Sequence, residues 1–299
     1  DPEKIAAIVV TEAPEKPRPL AKADENSRRI AGHIVEFLKA EQAAGRLSAD
    51  RVPLQSGVGN VANAVLEGLM ASDFTGLRFY SEVMQDAILS LLDSGKAAFC
   101  SATSLSLSEE GMAALLANLD RYRNKIVLRD SEVSNSPEVI RRLGVIAMNT
   151  AIEADIYGNV NSTHICGTRM YNGIGGSIDY ARNAAVAIFM TNSTTKGGKI
   201  SNIVPMVTHV DHTEHDVDVL VTEQGFADLR GKSPKERAKL IIENCAHPAY
   251  RPQLRAYFDA ACGESGMAHT PHLLDQCFSF HLRFQETGTM LEQAEEDHG

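Results

Sequence analysis

Two glutamates stand where an α/β protein presents reacting groups. Glu82 follows the apolar run Leu77, Phe79 and Tyr80, and it precedes Val83, Ala87, Ile88, Leu91 and Leu92, which repeat at helical spacing. That puts it at a strand-to-helix junction, at the carboxyl end of a strand, where open α/β sheets bind ligands. A carboxylate is ionised at neutral pH and can attack an acyl carbon without a separate base. The same position also suits a base, or an acid that only complements the positive end of a helix. Glu223 repeats the pattern after the apolar strand Val217 to Val221: a strand, then Thr222, then Glu.

Two glycine-rich turns accompany the glutamates. Gln55-Ser-Gly57-Val58-Gly59-Asn60 follows the short run Val52-Pro-Leu54 and leads into a helix over Val61 to Met70. Backbone N–H groups at such a turn face whatever anion or polarised oxygen lies at the helix N-terminus. As a dinucleotide fingerprint the turn is incomplete, because Ala62 stands where the third glycine belongs. The second turn, Asn172-Gly-Ile-Gly175-Gly176-Ser177, precedes an apolar run over Ala181 to Met190 that reads as a buried strand. Thr194 to Lys199 is a further turn, and it carries Lys196. Between His209 and Asp216 three imidazoles and three carboxylates share eight positions, which invites a metal reading. Their spacing matches neither HExxH nor an EF-hand loop. The segment is therefore expected to hold no metal and to brace the strand that carries Glu223. Strand-end carboxylates, anion-binding turns and a lysine-bearing turn together describe acyl transfer with a phosphate-bearing cofactor.

The elements that must position these residues alternate. Helical patterns cover Asn26 to Ala44, Ser108 to Arg123 and Lys235 to Asn244, the last opened by the capping box Ser233-Pro-Lys-Glu236. Ser136-Pro137-Glu138 starts a short helix with proline at its first position. Strands are expected at Ala97 to Ser101, Lys125 to Leu128, Val145 to Asp155, Val160 to Ile165 and Ile200 to Val207. Interleaved strands and helices imply an α/β open sheet. The 299 residues are 43% hydrophobic with a net charge of −10, a balance that argues against a nucleic-acid surface. No apolar run reaches the length of a membrane span. Five scattered cysteines form no CxxC pair, so neither a disulfide framework nor a zinc knuckle is indicated and a reducing compartment is expected. Residues 1–25 include the proline-rich Glu12 to Pro19 and read as an interdomain linker, so the chain is expected to be a piece of a longer one. Residues 26–262 are expected to form the principal domain, and 263–299 a helical, frayed tail.

Several stretches carry a resemblance. Gly57 to Val65, Tyr80 to Asp86, Asn149 to Ser162, Asn172 to Ser177 and His209 to Gly225 are similar to the acetyl-CoA hydrolase/transferase family, over about Pro19 to Tyr257. Within that family the likeness is to the succinyl-CoA:acetate CoA-transferase branch. The resemblance implies an open-sheet domain of the NagB/RpiA/CoA-transferase-like type and an enzyme that moves coenzyme A between an acyl-CoA and a small carboxylate through a glutamyl-CoA thioester. CoA is then a substrate, and no metal is needed. It implies Glu82 as the nucleophile and the backbone amides of Val58 and Gly176 as oxyanion donors. Asn135 and Glu223 fall on residues that position nucleophile and substrate, and Gly57, Val58, Gly59, Asn60, Val61, Ile152, Asn172, Gly176 and Lys196 on CoA-contacting positions. Three departures stand out: Val83 follows Glu82 where related branches have Asn-Gly, Ile178 replaces a common Gly, and Tyr180 a common Phe. The family has two similar α/β halves with the site between them, and only the second is matched here. A missing N-terminal half is thus an implied partner, alongside homodimerisation, with no nucleic-acid or membrane partner. Acetyl-CoA hydrolysis and a non-catalytic CoA-binding role are the alternatives. A cytoplasmic location is implied, or a mitochondrial one in a eukaryote.

Overall fold

The computed structural model describes residues 2–13, 23–47, 53–57, 59–265 and 267–292. The proline-rich part of the expected linker, residues 14–22, lies outside them. Eight strands make the central sheet: β1 (Leu54–Ser56), β2 (Leu77–Tyr80), β3 (Ala97–Ala102), β4 (Ile126–Leu128), β5 (Ile146–Thr150), β6 (Val186–Met190), β7 (Val219–Thr222) and β8 (Gly225–Asp228). Their spatial order is β8-β7-β6-β5-β1-β2-β3-β4. Every neighbouring pair is parallel except β7 and β8. From β1 the chain winds outward through β2, β3 and β4, and then crosses back to β5 on the other side. The winding direction therefore reverses between β1 and β5. That switch point opens a crevice at the carboxyl ends of these two strands, where doubly wound sheets bind ligands.

Side chains on the sheet alternate between two cores with the strand period of two. On β5 and β6, Ile146, Met148, Ile188 and Met190 pack into one core with helices α1 (Glu25–Ala43), α2 (Asn60–Ala71) and α3 (Asp86–Asp93). Ala187 and Phe189 face the other core, with Leu220 of β7. Helix α1 begins at Asp24, whose side chain accepts from the Ser27 amide at 2.7 Å. Its buried residues Ile30, Ala31, Ile34, Phe37 and Leu38 hold one helical face against the sheet.

Several expected boundaries move. The run from Ser108 to Arg123 is two helices, α4 (Glu109–Ala117) and α5 (Leu119–Tyr122). Val145 to Asp155 is not one strand. β5 ends at Thr150, and Glu153–Asp155 joins a separate small sheet, so Ala151 and Ile152 form a break beside the crevice. Ile200 to Val207 likewise splits into Ile200–Ser201 and Ile203–Val204. Two short helices follow α5, namely α6 (Ser131–Ser134) and α7 (Pro137–Leu143). Residues 181–183, expected in a strand, belong to helix α8 (Ser177–Asn183). The capping box at Ser233 opens α9 (Pro234–Asn244) as expected, and α10 (Arg251–Ser265) follows. Beyond residue 262 the chain packs rather than frays as far as it is described. Leu273, Cys277, Phe280 and Met290 enter the second core, the third of these on α11 (Ser279–Thr287).

Candidate active site

A cleft of about 1550 Å³ occupies the switch point. Its floor is the ends of β1 and β5, from Gln55 to Gly57 and from Asn149 to Ile152. Buried Gln55 ties these strands together, because its Oε1 accepts from the Met148 amide at 3.0 Å and its Nε2 donates to Asn149 Oδ1 at 3.1 Å. Gly57 extends the ladder by donating to Met148 O at 2.9 Å, and its own carbonyl accepts from Gln85 Nε2 at 2.9 Å. A Cβ on Gly57 would stand 3.3 Å from Met148 O, so the close approach favours glycine. Gly59 caps α2 at φ +126°, a backbone open only to glycine, and with Asn60 it presents that helix N-terminus to the cleft.

Glu82 lines the cleft, but not from the first turn of a helix. A short strand, Val83–Gln85, intervenes and pairs with Ser104–Ser106. The first-turn acid is Asp86, which accepts from the Ser108 amide at 3.0 Å and from the Ser108 hydroxyl at 2.9 Å. The helix-terminal reading of Glu82 is therefore overturned. The Glu82 backbone is clamped, its carbonyl accepting from the amides of Thr103 at 2.8 Å and Ser104 at 3.1 Å. Its side chain is half-buried and crosses to the second glycine turn, where Oε2 accepts from the Gly176 amide at 2.9 Å. Asn135 closes the group. Its Nδ2 and Glu82 Oε2 each lie 2.5 Å from the point where a Gly176 Cβ would stand.

Two tyrosines set the position of Asn135. Tyr80, two residues before Glu82, donates its hydroxyl to Val133 O at 2.5 Å. Tyr180 on α8 donates to Ser134 O at 2.7 Å. Burial pushes both phenols up, which keeps them protonated as donors. The departure Tyr180 thus adds a hydrogen bond that a phenylalanine could not make.

The remaining expected residues divide. Gly57, Gly59, Asn60, Ile152, Asn172 and Gly176 all line the cleft. Val58 lies outside the described residues. Val61 packs against the first core. Lys196 stands on the exposed turn between Thr194–Thr195 and Ile200–Ser201, with its ammonium 5.1 Å over the Phe284 ring rather than in the cleft. Glu223 follows β7, four strand spacings and thus about 19 Å from β2. Its carboxylate is buried and turned to its own neighbours. Oε2 accepts from the Ser193 amide at 2.8 Å, and Oε1 accepts from the Ser193 hydroxyl and from Gln224 Nε2. Burial pushes its pKa up, but the donors from Ser193 and Gln224 outweigh that and hold it below the usual value. The two glutamates share their local pattern, yet the sheet keeps them apart.

The histidine-rich segment spreads over separate partners. His212 bridges to Val160 and approaches Ser177, His209 stacks on His164 at 3.9 Å, and Asp216 accepts from the Thr213 hydroxyl at 3.0 Å. Among the described residues, no three histidine, cysteine, aspartate or glutamate side chains are placed to hold a metal ion. The segment braces the 160s loop and the second glycine turn, and Arg237 Nη1, donating to both Glu214 O and Val217 O, links it to the run before Glu223 as well. Sequence reasoning missed the buried amides of Gln55, Gln85 and Asn149. A polar residue inside an otherwise apolar strand was the available signal. It also missed the apolar wall of Leu105, Met112 and Leu116, which no pattern marks before the fold brings it to the cleft.

A sequence profile of the acetyl-CoA hydrolase/transferase C-terminal domain matches residues 111–258. Among curated relatives, a succinyl-CoA:acetate CoA-transferase of Clostridium kluyveri is 54% identical over 96% of this chain and 53% of its own length. An acetyl-CoA hydrolase of Candida albicans is 51% identical over 97% of this chain and 57% of its own length. The chain thus spans about half the length of the curated relatives it matches. The crystal structure of RipA from Yersinia pestis superposes with a TM-score of 0.69 at 26% identity, covering 85% of this chain and 56% of that one. With the doubly wound sheet and the motifs at its switch point, these likenesses agree: the chain belongs to the acetyl-CoA hydrolase/transferase family.

Proposed function

We propose that this chain carries the nucleophile of a CoA-transferase that exchanges coenzyme A between an acyl-CoA, such as succinyl-CoA, and a small carboxylate, such as acetate. The observation that carries the reading is the Glu82 carboxylate in the cleft, 2.9 Å from the Gly176 amide. A Glu82 oxygen attacks the thioester carbonyl, whose oxygen becomes an oxyanion within reach of the Gly176 N–H once the carboxylate has turned to the substrate. The C–S bond breaks, CoA leaves as thiolate, and an acyl-glutamyl anhydride remains. The thiolate then attacks the glutamyl carbonyl, expelling the first acid and leaving a glutamyl-CoA thioester. The second carboxylate takes the CoA by the reverse steps, so no proton is consumed. Asn135 Nδ2, beside the Gly176 Cα, is a donor near enough to orient the carboxylate or the incoming acyl group. The open N-terminus of α2 behind Gly59 favours a phosphate or other anionic part of CoA.

The hydrolase relative supports a second reading, in which water instead of an acid intercepts the anhydride or thioester. The half-length match supports a third, in which the chain binds CoA but needs a further segment for turnover. The described lining residues include no lysine or arginine, so on this reading a further segment would also supply the cations that meet the phosphates. Incubation with acyl-CoA in the absence of acceptor, followed by intact-mass measurement, decides among them. A CoA adduct mapping to the peptide around Glu82 and absent from Glu82→Ala is the expected result. Product formation that depends on acetate marks the transferase, and product without acetate marks the hydrolase. An adduct on Glu223 would overturn the assignment.

A further inference from the structure

The Asn172–Ser177 turn that carries the Gly176 amide is held at both ends by two adjacent side chains from the histidine-rich segment. At its start, Asn172 Nδ2 donates to Ser162 O at 2.8 Å, and the Ser162 amide donates to Asp211 Oδ2 at 2.7 Å. The Thr163 hydroxyl adds a donor to the same carboxylate at 2.8 Å. At its end, Ser177 Oγ lies 3.2 Å from His212 Nε2. That hydroxyl donates its one hydrogen to Ile174 O at 2.7 Å, so it can only accept from the imidazole. His212 is therefore the Nε2–H tautomer. Its ring is fully buried, with its centroid 4.6 Å from that of Phe189. Its backbone is fixed by a reciprocal pair with Val160, at 3.0 Å and 2.8 Å.

We propose that Asp211 and His212 are positioning residues for the Gly176 amide, one through Ser162 and Asn172 and the other through Ser177. This rests on the role given above to Gly176 as oxyanion donor. Gly175, at φ +56°, lets the chain turn sharply between the two anchors, so the direction of the Gly176 N–H depends on where they hold the loop. A neutral imidazole donor at Ser177 fixes that direction without placing a charge beside Glu82. Misplacement of a catalytic donor by about 1 Å can cost on the order of 10²-fold in rate.

The test compares the 299-residue protein with His212→Phe, His212→Gln and Asp211→Asn. Gln presents an N–H near the position of Nε2, whereas Phe fills the space without a donor. Hydrogen–deuterium exchange of the peptide spanning residues 172–180, the melting temperature, and kcat and KM for acyl-CoA are read together. The expected result for His212→Phe is faster exchange confined to that peptide, by roughly 10-fold or more, with kcat reduced about 10- to 100-fold. KM should stay within about 3-fold, and His212→Gln should recover most of the loss in both readouts. Asp211→Asn should loosen the same peptide from its other end. Unchanged exchange and unchanged kcat in His212→Phe would overturn the proposal. So would a uniform rise in exchange over the whole chain with no recovery in His212→Gln, the mark of a merely structural histidine. If the unaltered chain turns over no acyl-CoA, the reading in which a further segment is needed for turnover is the one supported, and the exchange data alone still decide whether the two residues hold the turn.

Discussion

At the residue scale the site depends on one missing side chain. A Cβ at Gly176 would stand 2.5 Å from both Glu82 Oε2 and Asn135 Nδ2, closer than real Cβ contacts allow. Both neighbours are the ends of side chains, so the chain can still fold with them displaced, and the cost falls on the chemistry. Gly176→Val is expected to lower kcat by about 10²- to 10³-fold, the worth of one oxyanion donor, while CoA binding measured by calorimetry changes far less. Unchanged turnover would remove Gly176 from the site. Tyr180→Phe deletes the buried donor to Ser134 O and should lower stability by about 1 to 3 kcal/mol in denaturant titrations, since that carbonyl is left without its partner.

At the element scale the histidine-rich segment links folding to pH. Burial, the largest cause, lowers the His212 pKa from 6.5 to about 4; Asp211 and Asp216 oppose the shift and Arg182 assists it. The unfolded chain therefore takes up a proton near pH 6.5, while the folded protein resists until about pH 4. Stability from this group is complete above pH 6.5 and is lost as pH falls from there towards about 4, by on the order of 3 kcal/mol. Urea unfolding at pH 7 and pH 4.5 should show that loss. In His212→Gln the difference between the two pH values should shrink, because the remaining carboxylates titrate in both proteins alike.

At the scale of the whole molecule, the C-terminal helix α11 is tied to the cleft wall from a distance. His281 on α11 makes a buried 2.7 Å contact to Glu153 Oε2, one residue beyond Ile152 in the cleft wall. Burial pushes Glu153 up, but the hydrogen bond and charge of His281 lead the opposing causes, so its pKa is lowered. His281→Ala takes one partner from a buried carboxylate and is expected to destabilise the protein by about 1.5 to 3 kcal/mol, read as a lower midpoint in urea. A variant as stable as the parent would show that α11 is only lightly docked. No described helix is long and apolar enough to cross a membrane.

Local chemistry was legible in the one-dimensional text because turns and caps depend on neighbours in sequence. The α/β alternation, the glycine turns at Gly57 and Gly176, the capping box at Ser233 and the strand-end setting of Glu82 and Glu223 all follow from spacing and residue type. What joins residues far apart in sequence was decided by the tertiary structure. Loop contacts on the folded sheet bring Glu82 to Gly176 and Asn135, and strand order leaves Glu223 about four strand spacings away although the two glutamates look alike locally. The same holds for Lys196, which a turn signal places correctly on a loop but which the fold turns towards Phe284. In sequence, the spacing of His212 and Asp211 favours a brace over a metal site but does not say what is braced. Only the pairing with Val160 shows which loop they brace, because a β-bridge is a long-range contact that no local pattern encodes.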